Sequence, residues 1–223
     1  MSTSQADVVD TRDMIVVHTA FRREFGLAPA LVRGVAPGDQ KRADIVADHL
    51  DTLTAMLHHH HAGEDRLLWP KLHERVSADV APVVSLMEEQ HHRIHAANDR
   101  VGEHLATWRH GASAEARDAL ATSLEEVDAA LVEHLAAEEE HLLPIAAKAL
   151  TPAEWEQLGE EGMAGLRKSQ LPLVFGMLQY QGDPEVIATM LSHAPGPVRL
   201  LMPFLAPRAF ARYSRRVHGT ATP

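Results

Sequence analysis

Histidine and glutamate recur at four-residue spacings on three long segments that show helical apolar periodicity. The spaced pairs are His60 with Glu64, His91 with His95, and His134 with Glu138. A step of four residues turns an α-helix by about 40° and advances it by about 6 Å, so both members of a pair can aim at one point. Together with His18 upstream, the pairs could supply seven ligands. The pattern predicts a metal site inside a helix bundle.

The composition limits both the metal chemistry and the partners. The 223 residues include sixteen histidines and no cysteine, which excludes disulfides, thiolate zinc sites and iron–sulfur clusters. Imidazole nitrogen and carboxylate oxygen remain as the main donors. A net charge of −10 argues against a nucleic-acid partner. No apolar stretch reaches the roughly 18 to 20 residues of a membrane span, and no export signal begins the chain, so we expect a cytoplasmic protein.

Two regions of the chain differ in histidine content and in charge. Fourteen of the sixteen histidines lie between His18 and His141. No acidic residue follows Glu185, whereas five arginines do. The Thr-Pro-Ala-Glu sequence that starts at Thr151 is typical of a helix N-cap with a capping glutamate. We therefore expect a metal-binding domain over 1–150 and a helical extension over 151–223.

The chain is expected to be all-α. Aromatic residues make up only 4% of it, and alternating β-branched runs are missing. Gly26 and Pro29 are expected to end the first helix, and Asp39 and Ser113 are suitable N-caps for two others. The predicted helices span about 10–24, 40–70, 82–110 and 114–150. Short connections between them predict an up-down-up-down four-helix bundle.

An internal repeat sharpens the prediction of a metal site. In the segments that begin at His60 and His134, the histidine precedes an acidic pair by four residues and a proline by ten. A bundle with approximate two-fold symmetry would bring these units together, and each would give one terminal imidazole and one carboxylate able to bridge two ions. The repeat therefore predicts a dinuclear site, whose remaining positions would be filled by His18, His91 and His95.

Over about residues 10–148 the sequence resembles the hemerythrin-like family, also called the HHE cation-binding domain. The resemblance rests on the order of one His, then HxxxE, HxxxH and Hxxx(x)E. It implies two iron ions in an oxo- or hydroxo-bridged non-haem centre, with histidines as terminal ligands and two bridging carboxylates. Glu64 would be one bridge. The implied terminal ligands are His18, His60, His91, His95 and His134.

The second bridging carboxylate is either Glu138 or Glu139. The oxygen carriers of the family use a carboxylate five residues after the histidine, which would select Glu139. The internal repeat selects Glu138 instead. Helical geometry also favours Glu138, because the apolar stripe through Leu135 and Leu142 is centred close to it and about 80° from Glu139.

The other histidines are interpreted as solvated or as supporting groups. His60 and Glu64 share the apolar stripe of Leu57, whereas His61 and Asp65 fall on its flank. The same interpretation covers His58, His59, His92, His104, His110 and His141, and it places His49 and His73 on the surface. His193 and His218 look unsuited to metal binding, since they are isolated from acidic residues in the sequence.

Three functional hypotheses follow from this donor set. The first is a di-iron protein that binds or detoxifies O₂, hydrogen peroxide or nitric oxide, with catalase-like or peroxide- or NO-consuming activity, because an imidazole-rich set favours ferrous iron. The second is an iron- or oxygen-sensing regulatory module that acts through the C-terminal extension. The third is a zinc or nickel buffer. A monomer and a homodimer are both compatible with the sequence.

The extension is expected to consist of short helices separated by prolines. On the last of them, Phe210, Tyr213 and Val217 share one face, which we expect to pack on the bundle, while arginines form another. A membrane-surface or partner-binding helix is the alternative. The apolar segments 171–178 and 200–205 are expected to be buried or to form a dimer interface.

Overall fold

A computed structural model describes residues 8–78, 80–164, 166–192 and 194–223, and the regular structure in these ranges is helical. The prediction of an all-α chain is confirmed. A π-helical turn over Glu138–Leu142 separates α5 from α6. The α-helices are α1 Arg12–Arg33, α2 Gln40–Leu67, α3 Trp69–Arg75, α4 Ala81–Arg109, α5 Ala114–Ala137, α6 Leu143–Ala149, α7 Pro152–Ala164, α8 Leu171–Gln181, α9 Pro184–Ser192 and α10 Gly196–His218.

Two long helices begin at the N-caps that the sequence predicts. The Asp39 side chain accepts from the backbone N–H of Arg42 at 3.0 Å, and Ser113 Oγ accepts from that of Ala116 at 3.2 Å. Helix α1 is longer than predicted, because it continues through Pro29 to Arg33. Pro29 is buried, so the apolar packing of this turn offsets the backbone hydrogen bond that the proline removes.

The four long helices, α1, α2, α4 and α5, pack around a shared apolar core. In the described part of the chain the close neighbours include α4 with α5, α1 with α5, α2 with α4 and α1 with α2. This pattern fits a four-helix bundle, while the up-down-up-down order stays a prediction. Fully buried core side chains include Phe25, Leu50, Leu53, Leu57, Ile94, Trp108, Leu124 and Leu131.

A second apolar cluster lies further along the same helices. It includes Leu68 after α2, Met87 on α4 and Leu142 in the π turn, together with Trp155 and Leu158 of α7. Along the chain His18, His60, Glu64, His91 and Glu138 fall between a residue of the first cluster and one of the second, and His134 directly precedes Leu135 at the edge of the first. Any polar side chain that turns inward there is enclosed by apolar groups on both sides.

The C-terminal third packs against the long helices. Helix α7 contacts α2, α8 and α9 contact α1, and α10 contacts α8 and α2. The predicted cap at Thr151 is present, since Thr151 N–H donates to Glu154 Oε2 at 3.0 Å. The prediction of several short helices is wrong at α10, which continues through Pro203 and Pro207. Neither proline is buried, so the helix can adjust on its outer side.

The faces of α10 differ along its length. Phe210 and Val217 are buried, as predicted, and the arginines Arg208, Arg212, Arg215 and Arg216 are exposed. The predicted burial of segment 200–205 within the chain is wrong for four residues, because Leu200, Leu201, Phe204 and Leu205 are 70%, 52%, 61% and 48% exposed. The alternative of a dimer interface stays a prediction. None of the described helices combines the length and the apolar character that crossing a bilayer requires.

Candidate metal centre

Seven inward-facing side chains meet between the two apolar clusters. They form two groups, and within each group one ligand atom per residue lies within 4.8 Å of the others. The first group consists of His18, His60, Glu64 and Glu138. The second group consists of His61, His91 and His134. All four long helices contribute, through α1, α2, α4 and α5 with its π turn.

The two glutamates of the first group also approach imidazoles of the second group. Glu64 Oε1 lies 3.4 Å from His60 Nε2, and Glu64 Oε2 lies 3.5 Å from His91 Nε2. Glu138 Oε2 lies 3.4 Å from His18 Nε2 and 3.6 Å from His134 Nε2. Each carboxylate therefore lies 3.4 to 3.6 Å from one imidazole of the first group and one of the second. A carboxylate shared by two cations needs this placement.

Three of the imidazoles are held from behind by hydrogen bonds at Nδ1. His18 Nδ1 lies 2.9 Å from Glu139 Oε1, and His91 Nδ1 lies 2.7 Å from Asp65 Oδ1. His134 Nδ1 lies 3.1 Å from Gln90 Oε1. With Nδ1–H donating to these oxygens, the Nε2 lone pairs point toward the centre. Metal-binding histidines almost always have such a partner on the second nitrogen.

The supporting carboxylates are themselves fixed. Arg22 Nη1 donates to Glu139 Oε1 at 2.8 Å, and Trp69 Nε1 donates to Asp65 Oδ1 at 2.7 Å. These contacts hold both acids at the edge of the centre, where Glu139 is 24% exposed and Asp65 is 44% exposed. The orientation of His18 and His91 is thus set by two layers of hydrogen bonds.

Seven donor atoms at the centre are buried without hydrogen-bond partners, whereas His91 Nε2 and His134 Nε2 lie 3.1 Å from each other. The seven are Nε2 in His18, His60 and His61, and both carboxylate oxygens in Glu64 and Glu138. Buried polar atoms are usually paired, and an unpaired buried carboxylate costs several kcal/mol. A set of imidazole nitrogens and carboxylate oxygens that converge in this way fits divalent iron or zinc.

Burial also shifts the pKa values of histidines and glutamates at the centre, and these shifts apply to the protein without a metal. It lowers the pKa of His60 and His61 well below the ordinary value and that of His134 to about 2. Burial, reinforced by the charge of Glu138, raises the pKa of Glu64 well above its ordinary value, and burial also raises the pKa of Glu138. Without a metal, His60, His61 and His134 therefore favour the neutral form and Glu64 and Glu138 the protonated form, and a divalent cation would displace the protons of the two carboxyls.

The π turn separates the roles of the two candidate second bridges. Glu138, the first residue of the turn, is fully buried and belongs to the first group. Glu139 points instead to the outer nitrogen of His18 and to Arg22. The geometry favours Glu138 as the shared carboxylate and gives Glu139 a positioning role. Single π turns inside α-helices are frequent at functional sites.

The structure does not bring His95 to the centre. Its ring centroid lies 4.8 Å from that of His58, and it belongs to neither group. The rotation of α4 that buries His91 leaves His95, about 40° further round the helix, half-buried beside His58.

His61 takes the place that the sequence assigned to His95. The interpretation of His61 as a solvated flank residue is wrong, since it is 2% exposed and its ring stacks on that of His91 at 4.1 Å. Adjacent helix residues point about 100° apart, so His60 and His61 can both reach a centre wide enough for two cations. The sequence signal that could have indicated His61 is its spacing, because His60 and His61 precede Glu64 by four and three residues.

An apolar cavity of about 130 Å³ adjoins His60. The bundle contributes Phe21 and Met56 to its walls, and the ring of Phe21 lies 5.2 Å from that of His60. The C-terminal third supplies much of the remaining wall, through Trp155, Leu158, Gly162, Val174 and Leu178. The extension thus covers the side of the centre on which His18 and His60 lie.

Comparison with known protein families agrees with this geometry. The family model of the hemerythrin HHE cation-binding domain matches residues 10–146, from just before α1 into α6. Comparisons with curated proteins and with solved structures gave no match. Helices α7 to α10 lie outside the matched region.

Proposed function

The chain belongs to the hemerythrin HHE cation-binding domain family, and from this premise we propose that it holds two iron ions and binds or detoxifies O₂, hydrogen peroxide or nitric oxide. The bundle over 1–150 would carry the centre, and the extension over 151–223 would cover it. The family supports metal binding, and the choice of iron and of these ligands is the proposal.

One observation carries the proposal most directly. Glu64 and Glu138 each lie between an imidazole of the first group and an imidazole of the second, so two carboxylates connect two sets of nitrogen donors. A single cation would not need both groups. We assign His18 and His60 to one ion, and His61, His91 and His134 to the other.

This assignment leaves the two ions unequal. The ion with three imidazoles and two shared carboxylates has five protein donors, whereas the ion with two imidazoles has four. Five neutral imidazoles against two carboxylates keep the anionic charge low, which favours the ferrous state. A ferrous pair with an open position can bind O₂, peroxide or nitric oxide and share two electrons between its metals. On this assignment His18 and His60 would hold the ion that has an open position.

The apolar cavity lies on the side of that open position. Its walls are mainly apolar, and it reaches the His60 side chain directly. An apolar passage admits small uncharged molecules and keeps bulk water from the centre. Phe21 packs against His60, so it would hold this imidazole in place beside the entering ligand.

The test begins with metal analysis of protein purified without a metal-affinity step. Anaerobic reconstitution with ferrous iron should give two iron ions per chain. Adding O₂, hydrogen peroxide or nitric oxide in separate samples should then change the visible absorption spectrum. A maximum of one iron per chain would contradict the proposal. Two irons whose spectrum changes with none of the three added molecules would contradict it as well.

A sensing role is the second candidate, and the cavity favours it. Because α7 and α8 line a cavity that also touches His60, a change at the centre can alter the packing of the extension. Hydrogen exchange in α7 and α8 should then differ between the metal-free and the iron-loaded protein. A zinc or nickel buffer would instead yield native protein filled with those metals and inert to oxidants.

A further inference from the structure

A third group of metal-binding side chains lies outside the di-metal centre. Glu24 of α1, His49 of α2 and His218 at the end of α10 place their ligand atoms within 4.8 Å of one another. The prediction that His49 is a surface residue is wrong, because it is fully buried. The prediction that His218 is unsuited to metal binding because it has no acidic partner is also wrong in its premise. Glu24, from the opposite end of the chain, lies beside it. His193 lies outside the described residues.

The spacing of the donor atoms matches a metal site better than a hydrogen bond. Glu24 Oε2 lies 3.6 Å from His49 Nε2 and 3.4 Å from His218 Nε2. Hydrogen bonds between an imidazolium and a carboxylate are typically about 2.7 to 2.9 Å long. Ligands about 2.0 to 2.1 Å from a tetrahedral zinc ion are separated from each other by about 3.3 to 3.4 Å. The two contacts are thus near the edge length of a zinc tetrahedron.

The three donor atoms are also buried without partners. Oε2 of Glu24 and Nε2 of His49 and His218 have no hydrogen-bond partner. The side chains are 2%, 0% and 7% exposed, so water does not readily satisfy them. A carboxylate oxygen facing two imidazole nitrogens in such a place calls for a shared cation.

Hydrogen bonds to neighbouring side chains orient two of the three donors, Glu24 and His49. Arg23 holds the other oxygen of Glu24, with its Nη2 2.8 Å from Oε1, and so leaves Oε2 free. His49 Nδ1 lies 3.0 Å from the Tyr213 hydroxyl, and with Nδ1–H donating to that oxygen the Nε2 lone pair faces Glu24. This arrangement repeats the support seen behind His18, His91 and His134.

The end of α10 is anchored where His218 needs to be. Arg42 of α2 donates from Nη1 to the backbone carbonyl of Arg216 at 2.7 Å and from Nη2 to that of Val217. Gly219, at φ +78°, ends the helix directly after His218. Its left-handed conformation is one that glycine adopts without strain.

We propose that Glu24, His49 and His218 form a third, mononuclear site for a zinc-like divalent cation, which fastens the last helix to the bundle. Two neutral imidazoles and one carboxylate are a recurrent zinc donor set, and three protein ligands leave a fourth position for water, hydroxide or a small anion. The Arg23 charge beside Glu24 favours an anionic fourth ligand. This site goes beyond the proposed function, because it uses none of the residues of the di-metal centre.

The test counts zinc in the full-length protein. Protein purified without a metal-affinity step is stripped with a chelator, reloaded with excess Zn²⁺, passed through gel filtration and analysed for zinc per chain. His218→Ala should bind one zinc fewer than the unaltered protein. His73→Ala is the matched control, because His73 also contacts a glutamate, Glu88, at 3.1 Å but on the surface; it should bind as much zinc as the unaltered protein.

Equal zinc content in His218→Ala and the unaltered protein would overturn the proposal. Should His218→Ala fail to fold, the unaltered protein still decides. In zinc-soaked crystals, anomalous scattering at the zinc edge should show a peak between Glu24, His49 and His218. A filled di-metal centre with no peak at the third position would overturn it equally. Loss of one peak of the di-metal centre in His61→Ala, with the third-site peak unchanged, would support a separate third site.

Discussion

Oε1 of Glu139 lies 2.9 Å from Nδ1 of His18, on the side of the imidazole that faces away from the metal centre. The preceding residue, Glu138, approaches the opposite nitrogen of the same ring at 3.4 Å. Two consecutive glutamates therefore contact the two ring nitrogens of His18. Their positions differ because consecutive helix residues point about 100° apart, and the π turn begins at Glu138. The same difference predicts distinct consequences when either acid is neutralised.

Glu138→Gln should bind at least one iron fewer per chain than the unaltered protein, because its carboxylate is assigned to both ions. Glu139→Gln should retain both irons with about 10- to 100-fold weaker affinity, which is the usual effect of losing a supporting carboxylate. Iron titration under anaerobic conditions measures both quantities. Loss of an iron in Glu139→Gln, with full binding in Glu138→Gln, would reverse the assignment.

His61→Ala should lose one iron per chain, and His95→Ala should keep two. The reason is geometric, since His61 belongs to the second group and His95 contacts His58 instead. Both substitutions remove an imidazole from a long helix, so each serves as the control for the other. The measurement is metal analysis after reconstitution with ferrous iron. Two irons in His61→Ala and one in His95→Ala would restore the ligand set that the sequence implied.

The metal-free protein should lose stability as the pH falls from about 6.5 to about 4.5. Burial depresses the pKa of His60 and His61 and lowers that of His134 to about 2, so in this window the unfolded chain binds protons that the folded chain does not. The raised pKa values of Glu64 and Glu138 act in the opposite direction, because the folded chain holds their protons. At the metal centre three histidines outnumber two carboxyls, and His49, whose pKa burial lowers to about 4, acts in the same direction as these histidines.

Urea unfolding of the metal-free protein at several pH values measures this dependence. His134→Gln should lower the slope by up to about 1.4 kcal/mol per pH unit, which corresponds to one proton. His110→Gln, at an exposed position, is the control and should leave the slope unchanged. A metal-free protein that becomes more stable on acidification through this window would contradict the expected sign.

Gly162→Leu should slow the reaction with oxidants severalfold while leaving the iron content unchanged. Gly162 lines the cavity beside His60, and a Cβ at this position would meet no atom within 4 Å. The Cβ therefore enters open space, and we expect the rest of the leucine side chain to reduce the cavity volume. Gly102→Leu is a matched control on α4, because it also meets nothing within 4 Å and lies outside the cavity. Stopped-flow kinetics with equal rates in both variants would exclude this cavity as the entry route.

Gly176→Ala should destabilise the protein by about 1 to 3 kcal/mol, the usual range for overpacking. A Cβ at Gly176 would lie 2.8 Å from Phe210 Cβ and closer still to the Ala206 carbonyl oxygen, so α8 and α10 would have to separate. Gly102→Ala should instead gain up to about 1 kcal/mol from helix propensity. Urea unfolding compares them, and a neutral Gly176→Ala would show that the two helices can move apart freely.

Local sequence signals were sufficient for much of the helical framework. Asp39 and Ser113 cap the helices that they were predicted to cap, and Thr151 begins the C-terminal region with its capping glutamate. Such caps act within about three residues of the chain, so the sequence displays them directly. The predicted end of the first helix at Pro29 is wrong, because tertiary packing around this buried proline outweighs its local tendency to end a helix.

Four-residue spacing and apolar periodicity were enough to predict an all-helical chain with a metal centre that includes His18, His60, Glu64, His91 and His134, because both signals depend only on the geometry of single helices. Tertiary structure decided between His61 and His95, since that choice depends on how far α2 and α4 are rotated toward each other. It alone placed Glu24 beside His49 and His218. No periodicity connects residues so far apart in the chain, and the packing of α1 and α10 against α2 brings them together.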